Sequence, residues 1–96
     1  MNVISPKTLV DFYERRPDAM EALETWYRLC KKATWRNFNV RTAYPSADVV
    51  GDDRMVFNIK GSKYRLVAWF SFRYKVIQVK WIVTHAEYNA IDVLNV

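Results

Sequence analysis

The chain has 96 residues, 51% hydrophobic and 16% aromatic, with two glycines and three prolines. That composition excludes a disordered or repetitive protein and predicts one domain over residues 1–96, near the low end of size for a self-sufficient core. Fifteen Lys and Arg against ten Asp and Glu give a net charge of +5, which favours a polyanionic partner; nucleic acid is favoured over a membrane surface because no basic amphipathic helix stands out.

Asn2-Val3-Ile4 reads as a short strand. Met1 to Ser5 has no signal-peptide pattern, and no apolar run approaches the ~20 residues of a membrane span, so a soluble cytoplasmic protein is expected. Ser5 before Pro6 is a helix-start signal, and Leu9, Phe12 and Tyr13 then recur at helical spacing up to Arg15-Arg16. Pro17-Asp18 restarts a second helix, predicted from about Asp18 to Ala33, with Met20, Leu23, Trp26, Tyr27 and Cys30 in rhythm. Its acids come early and its bases (Arg28, Lys31, Lys32) late, as the helix dipole prefers, although the basic end also suits a phosphate. Cys30, alone in the chain, cannot form an internal disulfide and reads as a small buried hydrophobe.

Between Thr34 and Asp53 the pattern is weakest. Phe38, Val40, Ala43 and Tyr44 suggest a short helix before Pro45, and the acidic turn Gly51-Asp52-Asp53 leads into a sheet. Strands are predicted at about Met55–Ile59, Lys63–Phe72 and Val76–Thr84, joined by turns at Lys60-Gly61-Ser62 and Arg73-Tyr74-Lys75. Alternation points Tyr64, Leu66, Ala68, Phe70 and Phe72 one way, with Ile77, Val79, Trp81 and Val83 joining them in a core against the helices. The other face gathers Lys63, Arg65, Val67, Trp69 and Ser71, with Gln78 and Lys80 nearby. His85-Ala86-Glu87-Tyr88 begins a short helix in which Tyr88 and Ile91 share a face. These elements predict a small α+β domain, a helical hairpin packed on one face of a mainly antiparallel sheet of about four strands.

From Arg54 to Ala86 there are seven Lys and Arg (Arg54, Lys60, Lys63, Arg65, Arg73, Lys75 and Lys80), no Asp or Glu, and, at the end, the lone histidine His85. One His and one Cys do not make a usual zinc site, and no Gly-rich phosphate loop or placed Ser-His-acid set is present. RNA cleavage by the substrate's own 2′-OH fits what remains and asks for no cofactor. Arg65, Lys60 and Lys63 would stabilise the phosphate, His85 would shuttle a proton, and Tyr88 would orient the phosphate or stack on a base. Asn58, Trp69, Arg73, Lys75 and Lys80 are the expected RNA contacts around them. Each has a plainer reading. A lone histidine at such a junction also serves as a cap, a mid-strand arginine as a solvated residue, and Trp69 and Tyr88 as core.

The run Val56-Phe57-Asn58-Ile59-Lys60-Gly61-Ser62-Lys63-Tyr64-Arg65-Leu66-Val67, followed by Thr84-His85-Ala86-Glu87-Tyr88, resembles HigB-type toxins of bacterial toxin–antitoxin systems. The likeness extends to Ile4-Ser5-x-Lys7, Trp26-Tyr27 and Lys31-Lys32-Ala33-x-Trp35. It implies a RelE-like domain and a metal-free ribonuclease that cuts mRNA, often on the ribosome. A cognate HigA-type helix-turn-helix antitoxin would neutralise it. On this likeness Arg65 binds phosphate, His85 is the general acid, and Lys60, Lys63 and Tyr88 assist. The general base is left unassigned: no carboxylate is an obvious one, although Glu87 sits in the motif, and a lysine of lowered pKa is an alternative. Two other readings stand beside it: a non-catalytic RNA- or ribosome-binding module using the same face, and a toxin fold that has lost activity.

Overall fold

The computed structural model describes residues 1–4, 6–35, 44, 47–61 and 63–90, the last two as backbone only. Asn2–Ile4 forms β1 and Pro6–Arg15 α1; Pro17–Ala19 is a 3-10 turn running into α2 at Met20–Lys32. Asp48–Gly51 is β2, Arg54–Ile59 β3, Tyr64–Ser71 β4, Val76–Thr84 β5, and His85–Ala90 α3. The second helix therefore starts later than Asp18. Pro17 fills the first position of the turn, and the Ala19 N–H donates to the Arg16 carbonyl at 3.0 Å, a three-residue step tighter than an α-helix. The suggested helix through Phe38, Val40 and Ala43, and the partner Ile91, lie outside the described residues.

The strands form one sheet in the order β1-β5-β4-β3-β2. β1 runs parallel to β5, and the other pairs are antiparallel. The sheet has five strands where sequence patterning predicts about four. The added one, β2, pairs back on β3 through Asp52-Asp53, both in the left-handed region (φ 48° and 60°) and following Gly51 at φ 99°. A two-residue turn with positive φ at both positions matches strand twist, and Asp tolerates it better than most residues. The acidic turn is thus a hairpin rather than a lead-in.

One face of the sheet carries the core. Leu9, Phe12, Leu23, Trp26 and Cys30 from the helices meet Phe57, Tyr64, Leu66 and Phe70 from the strands. Edge-to-face pairs lock it: Trp26 on Phe57 at 5.4 Å, Tyr44 on Phe57 at 5.2 Å, and Phe12 on Tyr64 at 5.2 Å. Burial pushes the Cys30 thiol up to about 12, so it is inert at neutral pH, as its helical position suggests.

Strand alternation holds along β4 but breaks in β5. Val67 pairs with Trp81 and Ala68 with Val79, so Lys80 is an extra residue, a β-bulge. Val79 and Ile82 both point into the core, and Trp81 and Val83 turn to the opposite face. The expectation that Trp81 and Val83 join the core is therefore overturned. Trp81-Ile82-Val83 is apolar at every position, so composition there is compatible with either phase, and only the pairing with β4 selects one.

Candidate catalytic surface

The face of the sheet away from the helices is ordered in rows across the strands. Asn58, Arg65 and Val83 form one row, Val56, Val67 and Trp81 the next, and Arg54, Trp69 and Gln78 a third. Arg65 is half-buried, and its guanidinium carbon sits 4.8 Å from the centre of the Tyr88 ring. Cation–π contact holds the planar guanidinium over the ring without using its N–H donors. Its Nε is buried and has no hydrogen-bond partner among the described residues.

His85 is the first residue of α3, at the end of the strand paired with Arg65's own. Its position is fixed from both sides. The His85 main-chain N–H donates to the Lys63 carbonyl at 3.4 Å, tying the start of α3 to the β3–β4 hairpin. Thr84 and Glu87 form a reciprocal cap: the Thr84 N–H donates to Glu87 Oε1 at 3.0 Å, and the Glu87 N–H to Thr84 Oγ1 at 3.2 Å. The main-chain bond from Thr84, then its hydroxyl, then the attraction of Arg16 and Arg15 hold the Glu87 carboxyl below its usual range. A carboxylate so engaged is a poor proton acceptor. Glu87 is a cap.

The hairpin lysines turn the other way. Lys63 Nζ bonds the Asp18 carboxylate at 2.5 Å, the Tyr64 hydroxyl donates to the same carboxylate at 2.8 and 3.0 Å, and Lys60 Nζ donates to the Asp18 carbonyl at 3.1 Å. Tyr64 belongs to the core face, so this cluster lies toward the helices rather than beside Arg65. The bond to Lys63 and then that to Tyr64 lower the Asp18 pKa, and Asp18 in turn raises that of Lys63. A lysine of raised pKa holds its proton at neutral pH, so Lys63 is no candidate base.

Of the other expected RNA contacts, Asn58 lies beside Arg65 across β3 and β4, and Trp69 is half-buried two rows away. Lys80 occupies the bulge next to Trp81. Arg73 and Lys75 are in the β4–β5 turn, at the far end of β4 and about 20 Å from Arg65 at strand spacing. There Arg73 covers the Tyr74 ring at 5.3 Å. The structure thus gathers Arg65, Tyr88, Asn58 and the start of α3, sets Lys60 and Lys63 at their edge against Asp18, and leaves Arg73 and Lys75 apart. Among the described residues, no three His, Cys, Asp or Glu side chains group as a metal site.

The model of the HigB toxin family, a RelE-like toxic component of a toxin–antitoxin system, matches residues 19–91. This chain belongs to the HigB toxin family. It is also 29% identical over 92 residues to the mRNA interferase HigB of Escherichia coli O6:H1 (strain CFT073), covering 93% of this chain and 89% of that protein. As a HigB-family protein it is the toxin of a toxin–antitoxin system, and an antitoxin is its partner. Among the described residues no helix is long and apolar enough to cross a membrane.

Sequence reasoning missed several contacts of this HigB-family protein. Asp18 reads as an early-turn acid and instead holds the hairpin lysines, a contact 45 residues apart that no local pattern signals. The Thr84-x-x-Glu87 spacing is a capping-box signature and was legible as one. Trp81 depends on the bulge. Arg15 and Arg16, at the end of α1, line a cleft of about 350 Å³ with Ile82 and Glu87 on the helical side.

Proposed function

We propose that this HigB-family toxin is an endoribonuclease that cleaves mRNA on the ribosome and is neutralised by a HigA-type helix-turn-helix antitoxin in the cytoplasm. The observation that carries the reading is the pairing of Arg65, stacked on Tyr88 at 4.8 Å, with His85 at the end of the neighbouring strand. The printed name of the Escherichia coli relative, an mRNA interferase, supports it.

In this reading the ribose 2′-hydroxyl gives its proton to water, its oxygen attacks the adjacent phosphorus and the bond to the 5′-oxygen breaks. Arg65 offers N–H donors to the phosphate oxygens as charge builds on them. The His85 imidazolium gives its proton to the departing 5′-oxygen, which leaves as a 5′-hydroxyl. The other product carries a 2′,3′-cyclic phosphate. Tyr88 holds the guanidinium plane, and Lys63, released from Asp18 when a phosphate competes for it, adds positive charge at the edge. Lys60 and Asn58 complete that edge. Because the substrate carries its own nucleophile, this reading routes no step through a metal, and one His with one Cys do not make a usual zinc site.

The test is expression without antitoxin, followed by mapping of new RNA 5′-ends with and without active ribosomes. The parent yields 5′-hydroxyl ends that depend on ribosomes. His85→Ala lowers cleavage by about 10²–10⁴-fold, and Arg65→Ala by about 10²–10³-fold, while both variants remain folded by circular dichroism. Translation inhibition by the parent without new ends would instead identify a binding module.

A further inference from the structure

We infer that Trp81 is a stacking platform for an RNA base next to the phosphate held by Arg65, so that the strand runs across β4 and β5 over the outer face. The inference rests on the ribonuclease reading and adds the residue that would grip the substrate beside the cut.

The argument starts from the bulge. Lys80 is inserted between Val79 and Trp81, and the insertion turns an indole outward that ordinary alternation from Val79 would bury. The indole is 41% exposed, on a face whose valines Val56 and Val67 are buried. Trp81 lies in the row adjacent to the Arg65 row, two residues before Val83 on β5. Two residues of strand span about 7 Å, a step that one nucleotide of an extended strand covers.

The occupant is set by charge. Cationic Lys80 precedes the indole in sequence, and no acidic residue occurs from Arg54 to Ala86. The Trp81 row does continue through Val56 to Asp48, but that carboxylate is on β2, three strands and about 14 Å away. An exposed indole with a lysine before it in sequence and no acid on its own strand suits a base with its phosphate. An acidic protein segment is the competing occupant.

The test uses the full chain with Trp81→Ala and Trp81→Phe. Affinity is measured for a single-stranded oligoribonucleotide that 2′-O-methylation makes uncuttable, half-saturation and turnover for mRNA on ribosomes, and affinity for the purified antitoxin. Trp81→Ala is expected to weaken the oligonucleotide and to raise half-saturation by about 5- to 150-fold. Trp81→Phe stays within about threefold because a π-face remains, and antitoxin affinity and the melting temperature hardly change. If Trp81→Ala matches the parent on RNA while the parent cleaves, the platform is wrong and the ribonuclease reading stands. Loss of antitoxin affinity with RNA affinity kept makes this a protein interface and also overturns it. A parent that neither binds nor cleaves RNA overturns both.

Discussion

At the scale of single residues, Asp18 decides what the hairpin lysines do. A carboxylate that accepts from Lys63 and Tyr64 is held below its ordinary value of 3.8. Its contribution to stability is therefore fully present above that value and fades as pH falls through the lowered folded value. Lys63 is raised above its ordinary 10.5, so its share persists below that pH and is lost as pH climbs through the raised value. Asp18→Ala is accordingly expected to melt below the parent across the neutral range, with the gap closing in strong acid. Thermal melts of the two proteins from neutral pH down to pH ~2 check this, and a gap that does not narrow would remove the carboxylate as its source. Lys63, by contrast, was expected from sequence to face the RNA directly, and its bond to Asp18 means that any phosphate must compete for it.

Among the elements, α3 works as a mount for its first residue. Six residues of helix have little intrinsic stability, so the Thr84–Glu87 cap and the bond from His85 N–H to the Lys63 carbonyl set where the imidazole starts. Thr84→Ala should lower stability by about 1 kcal/mol and reduce cleavage through displacement of His85. Glu87→Gln is the sharper variant. Glutamine still accepts from the Thr84 N–H but cannot act as a base, so ribosome-dependent cleavage should stay within about threefold of the parent, with its pH profile unchanged. Abolished cleavage in a folded Glu87→Gln protein would assign the role of base to Glu87. The bulge in β5 has a comparable logic, since one added residue re-aims Trp81 and leaves Ile82 in the core.

For the molecule as a whole, charge and hydrophobic patterning separate the two faces of one sheet: aromatic packing against the helices on one, cations and indoles on the other. With a net charge of +5, binding of single-stranded RNA should weaken steeply with salt, and Arg65→Ala should flatten the slope of log affinity against log salt by about 0.7, one phosphate's worth. Titrations at several salt concentrations measure it; an unchanged slope would mean Arg65 meets no phosphate. The α+β class, the two longer helices, four of the strands, and the shared face of Arg65 and Trp69 could be read from the chain because period 2 and period 3.6 are local properties. So could His85 and Tyr88 one helical turn apart. Pairing decided the rest. The phase of Trp81 and Val83 hangs on where β5 slips against β4, β2 exists because Asp52 and Asp53 accept positive φ, and Asp18 meets Lys63 only after the chain has folded back across 45 positions. Periodicity is written in neighbouring residues, whereas register and charge pairing are settled by which distant segments meet.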